Sequence, residues 1–217
     1  MLYENACTFP DIGANMKFKG NFCFCSTFAE FAKLNNDYWL EEMIRNSALV
    51  CEAEPDDAQC RAWISCRKEL FKTLKKLPEA YNDLWLVFEY VLPKHKPGTK
   101  KAETENGIRP DVLIVGRNFV TVLEFKQRKL DPDGSVYEGY ISQAGKYVTR
   151  LNKYHAMAKD MYVAPVVVLT LEKKLLQDCD SYVACSADML ADALTLLNGD
   201  SPETLSQKEM QQWLCSI

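Results

Sequence analysis

The chain has 217 residues, 47% of them hydrophobic and 26% charged, with a net charge of −4 at neutral pH. These values are those of a soluble globular protein, and the length fits one domain or one domain with a small appendage. No stretch approaches the roughly 20 apolar residues of a membrane span, and the start, "MLYENACTFPDIG", lacks the basic and apolar regions of a secretory signal. A cytoplasmic protein without a membrane partner is therefore expected. Its nine cysteines should then be free thiols, mostly buried.

The first third is helical in pattern. "TFAE" (Thr27 to Glu30) is a capping box and opens a short helix. "DYWLEEMIRNSALV" is a second amphipathic run. Pro55 and Asp56 start a longer helix in which Ala62, Cys66, Leu70, Leu74 and Leu77 recur at helical spacing. After Pro78 the period changes. Residues 84–92, "LWLVFEYVL", are rich in aromatic and β-branched side chains and predict a strand. A polar loop follows. Two strands, 108–115 and 119–127, are joined by Gly116-Arg117-Asn118.

"DPDG" (Asp131 to Gly134) predicts a turn, and residues 138–155 a helix with Ile141, Ala144, Tyr147, Val148 and Leu151 on one face. Residues 162–171, "YVAPVVVLTL", read as a strand covered on both faces. "SYVAC" is a short strand. Ser186 should cap a helix stopped by Gly199, and a last helix spans about 201–215. Helices, three strands, helix, two strands and helices describe a mixed α/β domain with a helical N-terminal layer.

Charge is unevenly placed. Residues 94–153 hold 12 basic and 7 acidic side chains, a net of +5, while the remainder carries −9. Lys94, Lys96, Lys100, Lys101, Arg128, Lys146 and Arg150 lie in this basic part. They are the candidates for a rim that contacts nucleic-acid phosphates.

The same segment interrupts apolar strands with Asp111, Glu124 and Lys126. Residues two apart in a strand share a face, so Glu124 and Lys126 point to one side. The hairpin can bring Asp111 beside them. Two adjacent carboxylates repel unless a cation stands between them. Hard oxygen ligands suit Mg²⁺ or Mn²⁺, and the Phe125 carbonyl could add another oxygen. Beside such an ion a lysine can orient or help deprotonate water. Gln143 and Tyr147, four apart, share one helical face.

Pro110-Asp111 followed by Glu124-Phe125-Lys126 resembles the PD-(D/E)XK nuclease superfamily. Gln143-x-x-x-Tyr147 resembles the motif of its RecB-like branch, and Glu89, within the 84–92 strand, looks like that family's additional acid. Over about residues 59–170 the chain is similar to the nuclease-like N-terminal domain of bacterial proteins that continue into a P-loop helicase or ATPase domain. There is no GxxxxGK[ST] in this chain, so an ATPase would be a separate domain or subunit.

The resemblance implies an α/β restriction-endonuclease-like core with a central mixed β-sheet flanked by helices. Residues 1–217 would form a single nuclease domain: a helical N-terminal layer (1–78), a catalytic core (79–185) and C-terminal helices (186–217). It implies DNA phosphodiester hydrolysis in repair, processing or defence against foreign DNA. Glu89, Asp111, Glu124 and Phe125 would hold Mg²⁺ or Mn²⁺. Asp111, Glu124, Lys126, Gln143 and Tyr147 would carry the reaction. The alternative is a nucleic-acid-binding or protein-docking module with little activity.

With only two histidines, His95 and His155, and no partner at zinc spacing, zinc hydrolysis has no support. His155 is expected to end a helix as a packing residue.

Overall fold

A computed structural model of the chain describes residues 21–51, 54–95 and 107–217. Seven strands form one sheet in the order β1-β2-β3-β4-β5-β7-β6. They are β1 (Phe24–Thr27), β2 (Trp85–Phe88), β3 (Val112–Val115), β4 (Phe119–Lys126), β5 (Tyr162–Leu169), β6 (Leu176–Cys179) and β7 (Tyr182–Ser186). β4 runs parallel to β5, and β5 to β7. The other neighbours are antiparallel. The helices are α1 (Phe28–Lys33), α2 (Asn36–Cys51), α3 (Asp57–Leu74), α4 (Glu138–Tyr154), α5 (Leu190–Asn198) and α6 (Gln207–Leu214). The result is a mixed α/β sheet flanked by helices, as expected.

Alternation along each strand builds a core on either face of the sheet, and Val136, Ala144, Val167, Leu169 and Ala184 form a third, smaller cluster. Leu86, Phe88, Val112, Ile114 and Leu123 pack on one face with Phe28, Trp39, Trp63 and Leu194, from α1, α2, α3 and α5. Trp85, Val87, Leu113, Val115, Val120 and Val122 pack on the other with Tyr147, Leu151 and Trp213, from α4 and α6. Burial on both faces explains why these strands are continuous apolar runs. A parallel pair needs a crossover, and α4 supplies it between β4 and β5. The β3–β4 hairpin closes with Gly116 N–H donating to the Phe119 carbonyl at 3.1 Å. A side chain at Gly116 would meet the Phe119 ring at 2.2 Å.

Several expectations need correction. The N-terminal layer is not wholly helical, because β1 forms a sheet edge. The 84–92 strand stops at Phe88: Glu89 has φ 52, and beyond it Leu92 makes only an isolated bridge to Ile108. The strand expected over 108–115 begins only at Val112. Ser186 makes no capping bond; its hydroxyl accepts from Leu175 N–H at 3.0 Å, and a 3₁₀ turn (Ala187–Met189) precedes α5. The last helix starts at Gln207, capped by Ser206. On α3 the buried stripe is Trp63, Cys66, Arg67, Leu70 and Thr73, whereas Ala62 is exposed. Cys23, Cys25, Cys60, Cys66, Cys179 and Cys185 are free, but Cys215 is disulfide-bonded.

Arg67 fixes the N-terminal helices. Its Nε donates to Asn36 Oδ1 and its Nη2 to the Leu34 carbonyl, each at 2.6 Å. Its guanidinium lies 4.6 Å from the Phe31 ring centroid. Arg67→Ala removes two charge-assisted bonds and a cation–π contact and leaves the part-buried Leu34 carbonyl unpaired. We expect a loss of about 2–3 kcal/mol in urea unfolding. An unchanged midpoint would show that α1–α3 are held by apolar packing alone.

Candidate active site

The end of β4 sets the site. Glu124 and Lys126 continue the alternation of Val120 and Val122, so they face α4. Asp111, just before β3, continues that of Leu113 and Val115 toward the same face. One register step beyond the Val112–Leu123 pair sets Asp111 opposite Glu124. Asp111 Oδ2 accepts the Phe125 N–H at 2.7 Å.

Glu124 is 2% exposed. Its Oε1 accepts from Lys126 Nζ at 2.6 Å and from Gln143 Nε2 at 2.7 Å. Gln143 Oε1 accepts from Lys126 Nζ at 3.1 Å, and its Nε2 also donates to Tyr147 Oη at 2.8 Å. The helical four-residue step thus lets one amide join the acid, the lysine and the tyrosine. Glu124 Oε2 is buried without a hydrogen-bond partner among the described residues.

The Phe125 backbone is also exceptional. The Lys126 carbonyl accepts from Thr170 N–H at 2.9 Å and so faces β5. Strand alternation turns the Phe125 N–H and carbonyl toward the β3 side. Continued pairing would set Pro110 opposite, and proline has no N–H to give to that carbonyl.

Glu89 lies near Asp111 in the backbone: its N–H donates to the Asp111 carbonyl at 3.3 Å. Its side chain is engaged elsewhere. Left-handed backbone at a residue other than glycine is uncommon, and here it takes Glu89 out of the β2 alternation. Oε1 accepts from Gln59 Nε2 at 3.0 Å and Trp63 Nε1 at 2.9 Å, and Oε2 lies 3.5 Å from Arg109 Nη1. Among the described residues, no three of His, Cys, Asp and Glu converge into a group able to hold a metal ion. Asp111, Glu124, Lys126, Gln143 and Tyr147 are therefore brought together, and Glu89 sits beside them, tied to α3.

Burial and mutual repulsion dominate the electrostatics. Burial pushes the Asp111 carboxyl up to about 6, opposed by the Phe125 N–H and by Lys126. Burial, then the Asp111 charge, pushes Glu124 up to about 8, with Lys126 pulling back. Burial and the Glu124 charge raise the Tyr147 hydroxyl above its ordinary value. Burial and the charges of Asp111, Glu89 and Glu124 raise the Cys66 thiol well above its own, so Cys66 is an inert thiol behind the site. The acids outweigh the single lysine beside them.

Of the basic residues, Lys94 is half-buried after β2 and Arg128 exposed just past β4. Lys146 is exposed on α4, where Arg150 Nη1 donates to Tyr154 Oη at 3.3 Å. Lys96, Lys100 and Lys101 lie outside the described residues. His155 packs against Trp213 at 4.1 Å between ring centroids, and burial holds its imidazole down at about 4. Sequence reasoning missed Gln59, Trp63 and Arg109, the partners of Glu89. Helical spacing links the first two to each other, but nothing in the sequence links them to a carboxylate some 30 residues away.

No protein-family model matches the chain, and no curated protein matches it. Among solved structures, the small subunit of the heterodimeric restriction endonuclease R.BspD6I is similar over 72% of this chain and 79% of its own, at 16% identity and a TM-score of 0.31. No helix among the described residues is long and apolar enough to cross a membrane.

Proposed function

We propose that the protein is a metal-dependent nuclease of PD-(D/E)XK type that hydrolyses DNA phosphodiester bonds. The observation that carries this is the bonded set Glu124–Lys126–Gln143–Tyr147 beside Asp111, in which Glu124 keeps one buried oxygen unpartnered. That oxygen, the second Asp111 oxygen and the Phe125 carbonyl are hard donors and fit Mg²⁺ or Mn²⁺. Such an ion would supply Lewis-acid polarisation of the phosphate and a more acidic water.

The protein's own groups do the rest. Lys126 orients the attacking water and stabilises charge developing on the phosphoryl oxygens. Gln143 fixes the ammonium and the Glu124 oxygen relative to each other, and Tyr147 fixes Gln143. Glu89, expected to be a ligand, instead anchors α3 beside the acid pair in this arrangement. Arg128, Lys146 and Arg150 would contact the phosphate backbone. A P-loop helicase or ATPase domain or subunit would be a natural partner, and DNA repair and defence against foreign DNA both suit such an enzyme.

Linear duplex or single-stranded DNA should be cut with Mg²⁺ or Mn²⁺ and left intact in EDTA. Intact DNA in every buffer, with protein shown by circular dichroism to be folded, would reject the nuclease. The engagement of Glu89 with Arg109, Gln59 and Trp63 favours a second reading: a binding or docking module that keeps the fold with little activity. Calorimetry separates the two, since a nuclease centre should bind Mn²⁺ and a decayed one should not.

A further inference from the structure

The start of α4 carries one tyrosine, Tyr137, that neither helix capping nor the core explains, beside Tyr140, which packs against the cluster of Val136, Ala144, Val167, Leu169 and Ala184. Tyr137 is the N-cap of α4, with no side-chain capping bond. That position favours Ser, Thr, Asp or Asn. Tyr137 is also 55% exposed, so it adds little to the core. Its ring is nonetheless held in place. It packs edge-on against Tyr140, with centroids 5.0 Å apart and planes at 73°. Gly139 leaves it room, because a Cβ there would lie 2.4 Å from Tyr137 Cε1. Tyr140 in turn lies under Lys126, whose Nζ is 5.2 Å from the ring centroid. An exposed, braced aromatic ring therefore stands one ring away from the ammonium of the site.

We propose that Tyr137, backed by Tyr140, is a stacking platform for an unpaired base next to the phosphate held at Lys126, so that the substrate is single-stranded DNA or a frayed duplex end. This rests on the nuclease reading of the Lys126 site. A base within a duplex already stacks on both sides and offers no face to such a ring, whereas an unpaired base of any identity does. Bracing by Gly139 and Tyr140 lowers the ordering cost of stacking, because the ring is placed before the strand arrives.

The test reads binding without cleavage, by fluorescence anisotropy in EDTA, with labelled oligo(dT) and a duplex of equal length. The unmodified protein should bind oligo(dT) more tightly than duplex. Tyr137→Ala should weaken oligo(dT) binding about tenfold and leave duplex binding unchanged, while Tyr137→Phe should bind as the original does. Equal binding by Tyr137→Ala, tighter binding of duplex, or no binding of oligo(dT) would overturn the platform. Its fate is separable from that of the nuclease. Oligo(dT) binding that needs Tyr137 without any cleavage would reject the nuclease and keep the platform. Cleavage that needs Lys126, with binding indifferent to Tyr137, would do the reverse.

Discussion

Lys126→Ala should lower DNA cleavage about a thousandfold and leave the fold intact. A positioned group that moves or orients a proton contributes roughly 10²–10⁴ in rate, and Lys126 is the cation bonded to both Glu124 and Gln143. Its side chain is 20% exposed, so truncation opens the site to water more than it hollows the core. Lys126→Met keeps the apolar stem and removes the ammonium together with its contact over the Tyr140 ring, and it should be equally inactive. Lys126→Arg should also fail, since a planar fork cannot occupy the point position of an ammonium between two acceptors. Gln143→Ala acts through the lysine and should cost less, about tenfold. Single-turnover cleavage with circular dichroism on each variant would measure this series. Cleavage by Lys126→Met within about twofold of the original would end the assignment of the lysine.

The parts of this site legible in the sequence share one property: their geometry is local. Glu124 and Lys126 are two apart on a strand, and Gln143 and Tyr147 four apart on a helix, so period alone assigns each pair to a face. Asp111 needed one further step, the short Gly116-Arg117-Asn118 connection that folds β3 back on β4. β5 was legible despite Pro165, which pairs with Val122 one residue before pairing with β7 begins at Val166.

What escaped the sequence depends on backbone detail or on distant packing. Alternation along 84–92 puts Glu89 on the face of Val87 and hence beside Asp111. A φ of 52 at that one residue sends its carboxylate to Trp63 and Gln59 instead. No pattern of residue types announces a left-handed glutamate. The edge strands β1 and β6 were missed because an edge has one partner and a half-wet face. "LQDC" alternates too little to register as a strand. Tyr137 was passed over because a tyrosine at the start of an amphipathic helix reads as core until its exposure is known.

Glu124→Gln should abolish cleavage and, without metal, flatten the fall of stability with rising pH. The sign follows from the proton count. Glu124 titrates near 8 in the folded protein and about 4.3 in an unfolded chain. Between these values the folded state keeps a proton that the unfolded state has lost, so stability falls as pH rises and the loss is complete beyond about pH 8. Asp111, raised to about 6 from about 3.9, adds a loss of the same sign over a narrower window. Each pH unit of separation is worth about 1.4 kcal/mol, so the original should lose a few kcal/mol between about pH 5 and pH 8.5 in EDTA. Glutamine cannot ionise, and the variant should keep only the smaller Asp111 slope. Mn²⁺ should reverse the comparison at pH 8. A cation beside Glu124 and Asp111 favours their ionised forms, so the original should gain in Tm and release protons on binding, and Glu124→Gln should do neither. Parallel stability profiles in EDTA would show that Glu124 is already ionised and satisfied by Lys126. An equal Mn²⁺ gain in both proteins would place the metal away from Glu124.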